Sequence, residues 1–320
     1  MLKSDDKIRV GISSCLLGEL VRYDGNHKRD GYITDTLGKY FEWVSICPEA
    51  DGGLGVPRPS LRYERIDGEV RLMQPQTNLD VTDKVAKFSK NRIKKLAKQN
   101  IYGYILKGRS PSCGMERIKV YRGHAVRPET NGVGIYAKEL MASLPNLPVE
   151  EEGRLHDPVL RENWINRVFT YYSFHRSLFP RPSVGKLVQF HTRYKFTILP
   201  HCESTYRTLG RLVADAKQRP ILEVVGEYET LLMGALKKKA TPARQVNVME
   251  HLVGFFKKQL EPKVREEIRK SIADYRAEIV PMIVPITLIK HYAEILGIDY
   301  LTEQSYLNPH PKELSLRSKI

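Results

Sequence analysis

The chain has 320 residues, 41% of them hydrophobic and 28% charged, and its Lys and Arg exceed its Asp and Glu by 15. That length allows two ordinary domains or one large one with a proper core, and the composition is that of a globular protein. No apolar run reaches the roughly 18 residues that span a bilayer. Met1–Asp6 carries no apolar signal core, so a cytoplasmic protein with no membrane partner is expected. Both halves of the chain are basic, which gives a field favouring polyanions.

Four cysteines, Cys15, Cys47, Cys113 and Cys202, lie far apart and form no CxxC pair. This argues against a disulfide framework and removes zinc-ribbon and thioredoxin readings. Metal binding, catalysis and inert burial remain.

Taken in order, Ile8–Ile12 reads as a strand ending at Ser13-Ser14-Cys15, followed by the turn-rich Arg22-Tyr23-Asp24-Gly25. A short helix over 32–39 precedes a second strand over 41–46. That strand runs into Cys47-Pro48-Glu49 and a Gly/Pro loop through Pro59. A hairpin around Asp67-Gly68 pairs Leu61–Ile66 with Glu69–Met73. Thr82–Gln99 is the clearest helix, with Val85, Phe88, Ile93 and Leu96 on one face and Asp80 or Thr82 as its cap. Lys87, Lys94, Lys95 and Lys98 on its other faces are candidate RNA contacts, or simply a solvated face. A third strand, 101–106, breaks into Lys107-Gly108-Arg109-Ser110-Pro111-Ser112-Cys113-Gly114.

Strands alternating with helix predict an α/β, Rossmann-like domain with a mostly parallel sheet. Cys15, Cys47 and Cys113 each follow the carboxyl end of a predicted strand, the edge at which such sheets bind ligands. Core cysteines belong inside strands and helices, whereas these three sit in Gly/Pro/Ser loops. They are therefore expected to converge on a shared metal or cluster site, and three thiols without a histidine suit an iron–sulfur centre. Cys202, beside His201, reads as a packing residue.

Prolines and glutamates over 143–158 suggest a linker, dividing the chain into domains 1–150 and 151–320. The second is expected to be all-α, with helices near 159–177, 183–197, 204–217, 221–238, 242–260, 263–279 and 286–296 and a loosely ordered tail from about 303. Basic and aromatic residues mix in Phe190-His191-Thr192-Arg193-Tyr194-Lys195, which allows phosphate and base contacts. No named nucleic-acid motif accompanies them.

The three cysteine loops, with Arg22-Tyr23-Asp24-Gly25 and Pro57-Arg58-Pro59, resemble the TudS-type thiouracil desulfidase family over roughly residues 7–145. The second half, at 190–195 and Tyr206–Ala214, looks like the companion domain fused to some of these enzymes. The fused arrangement resembles RudS-type proteins, which remove sulfur from 4-thiouridine in tRNA. The resemblance implies a [4Fe–4S] cluster held by Cys15, Cys47 and Cys113 with one iron open, and it places the family's catalytic acid and hydroxyl at Glu49 and Ser110. The expected reaction is non-redox replacement of C=S by C=O, giving uridine and hydrosulfide, with tRNA or a small thio-uracil as partner. Each assignment has a plainer counterpart. Glu49 could pair with Arg58, Ser110 could cap its own loop, and Asp51 is a competing acid. A desulfidase of free thiouracil, a non-catalytic iron–sulfur RNA-binding or sensor protein and a metal-free cysteine enzyme are the alternative functions.

Overall fold

The computed structural model describes residues 7–123, 127–314 and 316–318. The chain forms two compact units, Met1–Asp157 and Pro158–Ile320. An α/β unit is followed by a helical one, as the patterning predicts.

In the first unit the strands are β1 (Ile8–Ser13), β2 (Phe41–Ile46), β3 (Arg62–Ile66), β4 (Glu69–Gln74), β5 (Leu79–Asp80), β6 (Tyr104–Leu106), β7 (Ile118–Tyr121), β8 (Glu129–Gly132) and β9 (Val149–Glu151). Two helices accompany them, α1 (Thr82–Leu96) and α2 (Ile135–Ser143). β2, β1, β6 and β9 form, in that order, a wholly parallel sheet. On its inner strand β1, Ile8, Val10 and Ile12 share one face and are fully buried, while on the other face Arg9 is exposed and Gly11 and Ser13 are buried. The predicted helix over 32–39 is two tight turns, Tyr32–Thr36 and Leu37–Lys39.

A second, mixed sheet in the order β5-β4-β3-β7-β8 grows from the predicted Asp67-Gly68 hairpin. Asp67 and Gly68 both have positive φ, 49° and 84°, the conformation that a two-residue hairpin turn demands. Helix α1 ends at Leu96, three residues before the predicted end. Asp80 Oδ1 caps its start by accepting the Thr82 N–H at 2.8 Å.

The stretch read as a linker is a structural element. Val149–Glu151 pairs in parallel with Tyr104–Leu106, and the unit boundary lies past 150, between Asp157 and Pro158.

The second unit contains α3 (Pro158–Leu178), α4 (Val184–Ile198), α5 (Glu203–Ala214), α6 (Ile221–Leu236), α7 (Pro242–Gly254), α8 (Pro262–Arg276), α9 (Ile283–Ile295) and the single turn α10 (Asp299–Thr302). Ser183 and Thr241 cap α4 and α7, and Pro242 and Pro262 open their helices in the first turn, where the missing N–H costs nothing. One apolar core lies among α3–α6 and a second among α7–α10 and the end of α4. Over its described residues the tail is not loose, and residues 315, 319 and 320 lie outside them. Tyr306 and Leu307 are buried in the second core, and Ser305 accepts or donates a 2.6 Å hydrogen bond with Thr197.

Candidate active site

The three strands read from sequence end at one place. Cys15 lies in the 3₁₀ turn after β1, Cys47 directly after β2 and Cys113 seven residues after β6. Their loops wall a cavity of about 450 Å³ that is lined by all three cysteines and also by Glu49 and Ser110. The convergence expected at the carboxyl edge of the parallel sheet is observed.

Each loop is fixed by local chemistry. Asp51, the competing acid, points elsewhere. Its Oδ2 accepts the Cys47 N–H at 3.0 Å, and the residue is exposed outside the cavity. The Ala50 N–H donates to Cys47 Sγ at 3.4 Å. Ser110 Oγ accepts the N–H groups of Ser112 and Cys113, at 3.2 and 3.1 Å, so the loop-capping role is real. It does not remove Ser110 from the cavity wall. Arg109, at the loop tip, is held at φ 61°, an uncommon conformation for a side-chain-bearing residue.

Helix α2 closes the loop from behind. Its first N–H groups, at Ile135 and Tyr136, donate to the carbonyls of Pro111 and Ser112. A Cβ at Gly134 would stand 2.5 Å from Ser112 O, so only glycine permits this approach. From the other side, the end of β9 and the residue after it supply carboxylates. Glu152 Oε2 accepts the Gly108 N–H at 2.6 Å and also pairs with Lys107, while Glu151 Oε1 accepts the Met115 N–H at 2.6 Å. The glutamates that read as a solvated linker brace the cysteine loop. Their signal was misread because a charge cluster between prolines looks the same in either role.

Glu49 carries the other anticipated contact. Arg58 donates from Nε and Nη2 to Glu49 Oε2, at 3.0 and 2.7 Å, and its side chain is only 2% exposed. Glu49 nonetheless lines the cavity.

The donor set suits a soft centre. Burial pushes the Cys15 thiol up to about 12, and the neighbouring Cys47 adds to the effect. Cys47 and Cys113 are raised for the same first reason, with repulsion from Cys47, Glu49 and Cys15 acting on Cys113. Thiolates here need a positive partner. The cavity offers sulfur and no histidine. Among the described residues no three His, Cys, Asp or Glu side chains close on a single ion. A multinuclear cluster takes each thiolate at a different iron, which calls for ligands set around a space of the kind found between these loops.

A family model described as 2-thiouracil desulfurase matches residues 10–152, the span that holds every loop of the cavity. The chain belongs to the 2-thiouracil desulfurase family. A second model, of a protein of unknown function (DUF1722), matches residues 195–311 in the helical unit. The uncharacterized protein YbgA of Escherichia coli (strain K12) is 30% identical over 152 residues, covering 47% of this chain and 90% of YbgA. A solved structure, the [4Fe-4S]-dependent thiouracil desulfidase TudS, is 30% identical, with 47% of this chain and 95% of that one covered and a TM-score of 0.38.

Other sequence candidates lie outside the desulfurase cavity. Lys87, Lys94 and Lys95 on α1 and Lys98 just past its end are exposed and do not line it. In the helical unit Cys202 is buried, as a packing residue should be. It also sits before α5 and receives hydrogen bonds from Thr205 Oγ1 at 3.2 Å and Lys238 Nζ at 3.4 Å. These donors and Ser204 hold its thiol down to about 6. Among the described residues no helix is long and apolar enough to cross a membrane.

Proposed function

We propose that this desulfurase replaces the sulfur of a thiolated uracil by oxygen with a [4Fe–4S] cluster in the cavity, and that its substrate is 4-thiouridine in tRNA. The observation that carries the reading is the meeting of Cys15, Cys47, Cys113, Glu49 and Ser110 around one space of about 450 Å³. The cysteines would hold the cluster, which supplies a soft Lewis acid for the substrate sulfur. The remaining work falls to the chain. The exchange takes in water and releases hydrosulfide, so protons must move while no electrons do. Glu49 is the proton acceptor from the attacking water. Ser110 Oγ already accepts two backbone N–H groups, which leaves its own hydrogen to donate into the cavity. The walls hold the ring and limit access of bulk water.

Support for tRNA comes from charge. Lys28 and Arg109 line the cavity, the α1 lysines lie exposed in the same unit, and the chain has an excess of 15 positive side chains. Backbone contacts of this kind make binding fall steeply with salt. A second reading, free thiouracil as substrate, draws support from a cavity of ordinary small-molecule size.

The test uses anaerobically loaded protein. Wild type should convert 4-thiouridine in tRNA to uridine, with kcat/KM dropping at least tenfold between about 50 and 200 mM salt. Glu49→Gln should retain iron and lose at least about 100-fold in kcat. Turnover of 2-thiouracil alone, insensitive to salt, would move the substrate to the free base. Full activity in Glu49→Gln would remove Glu49 from the mechanism.

A further inference from the structure

The cavity acid is held from outside its own turn, and held asymmetrically. An arginine facing a carboxylate usually engages both oxygens with two parallel hydrogen bonds. Arg58 instead sends Nε and Nη2 to the single oxygen Oε2 of Glu49, at 3.0 and 2.7 Å. No described residue donates to Glu49 Oε1, and Glu49 lines the cavity. The guanidinium is itself immobilised. Nη1 donates to Gly55 O at 2.8 Å, Nη2 to Val21 O at 3.0 Å, and the Arg58 backbone N–H to Tyr23 O at 2.9 Å. With its side chain 2% exposed, this charge has no solvated alternative.

We propose that Arg58 is the positioning residue of the reaction: it captures one oxygen of Glu49 and leaves the other as the single acceptor presented to water in the cavity. The proposal rests on the reading of Glu49 as proton acceptor. It explains why a charged residue is buried in the cavity wall, and it makes the loop from 55 to 58 part of the machinery through Glu49. Lysine cannot substitute. A single ammonium on a flexible stem cannot reach Gly55, Val21 and Glu49 in one planar arrangement.

The test compares wild type, Arg58→Ala, Arg58→Lys, Glu49→Gln and the Glu49→Gln/Arg58→Ala double variant. Each is loaded anaerobically, assayed for iron and sulfide per chain, and given 2-thiouracil and 4-thiouridine-containing tRNA. Arg58→Ala should keep wild-type iron and near-wild-type KM while kcat falls about 100-fold, the scale expected when a reacting group is misplaced by about an ångström. Arg58→Lys should resemble it, and added guanidinium should restore part of the Arg58→Ala rate. Because Arg58 acts through Glu49, removing it from the Glu49→Gln protein should cost nothing further. Wild-type kcat in both Arg58 variants, additive losses in the double variant, or activity falling only in proportion to lost iron would each overturn the role of Arg58 alone. A loaded wild type inactive on both substrates would overturn the reading of function, and this proposal with it.

Discussion

Ser110 illustrates how one hydroxyl serves two purposes. Its lone pairs take the Ser112 and Cys113 N–H groups, which ties a cysteine to the loop, and in the proposed reaction its hydrogen serves the substrate. Ser110→Ala removes both. Its kcat should fall about 100-fold or more, the usual scale for a lost proton donor, and its iron should leave faster to a chelator than in wild type. A variant that loses iron readily but turns over normally while loaded would reduce Ser110 to a cap. Cys202 provides a contrast in charge. Held down to about 6 by Ser204, Thr205 and Lys238, it should react with iodoacetamide in the apo chain along a pH curve centred near 6. Cys15, pushed up to about 12, should stay unreactive across that range. A Cys202 curve centred near 9 would show that the donors do not act on the thiolate. Much of this was visible in the sequence, because a cysteine or serine in a Gly/Pro loop after an apolar run has few structural uses. Arg58 was visible as a partner for Glu49 and within the Pro57-Arg58-Pro59 segment of the family resemblance, with no role of its own. That it spends two donors on one oxygen depends on a fold that brings Val21, Gly55 and Glu49 around it.

At the scale of elements, β9 and the residue that follows it decide how firmly the Cys113 loop is held. Glu152 takes both the Gly108 N–H and the Lys107 ammonium while largely buried, and hydrogen bonds to charged groups contribute about 1.5–3 kcal/mol each. Glu152→Gln should therefore lower the stability of the apo α/β unit by about 1–3 kcal/mol, measured by denaturant unfolding. An unchanged midpoint would show that the brace is ornamental. β1, β2 and β6 could be read from sequence because their apolar runs are bounded by turn residues. β9 could not, since three residues of Val-Glu-Glu between prolines have no period and acquire a face only by pairing with Tyr104–Leu106. The second sheet beyond its hairpin was hidden for the same reason: β5, β7 and β8 are two to four residues long. The tail was misjudged because Tyr306 and Leu307 are isolated apolar residues locally, and their partners lie on α4 and α7–α10. The helical elements also carry a pH dependence. Burial holds His191 and His310 down to about 4 and lowers His201 as well. Below pH 6.5 the unfolded chain takes protons that the folded chain refuses, so stability falls as pH drops from about 6.5 towards 4 and levels off below. Calorimetry of the helical transition should show that decline, and His191→Gln should make it shallower. A transition independent of pH over this window would contradict the burial of these rings as neutral bases.

For the whole molecule, two units divide the chain at Asp157, and one of them contains every residue of the candidate site. The positive charge spread over both units is the feature that supports the proposed polyanionic substrate. One experiment reads the cavity's cysteines, the cluster they would hold and desulfidation together. The protein is purified anaerobically, iron and sulfide are quantified, and the loaded chain is incubated with thiolated tRNA that is then digested to nucleosides. The expected result is close to four irons and four sulfides per chain, 4-thiouridine converted to uridine with release of hydrosulfide, and loss of iron on replacing Cys15, Cys47 or Cys113 by Ser. A chain that binds no iron, or one that keeps its full iron content after all three cysteines are replaced, would contradict it.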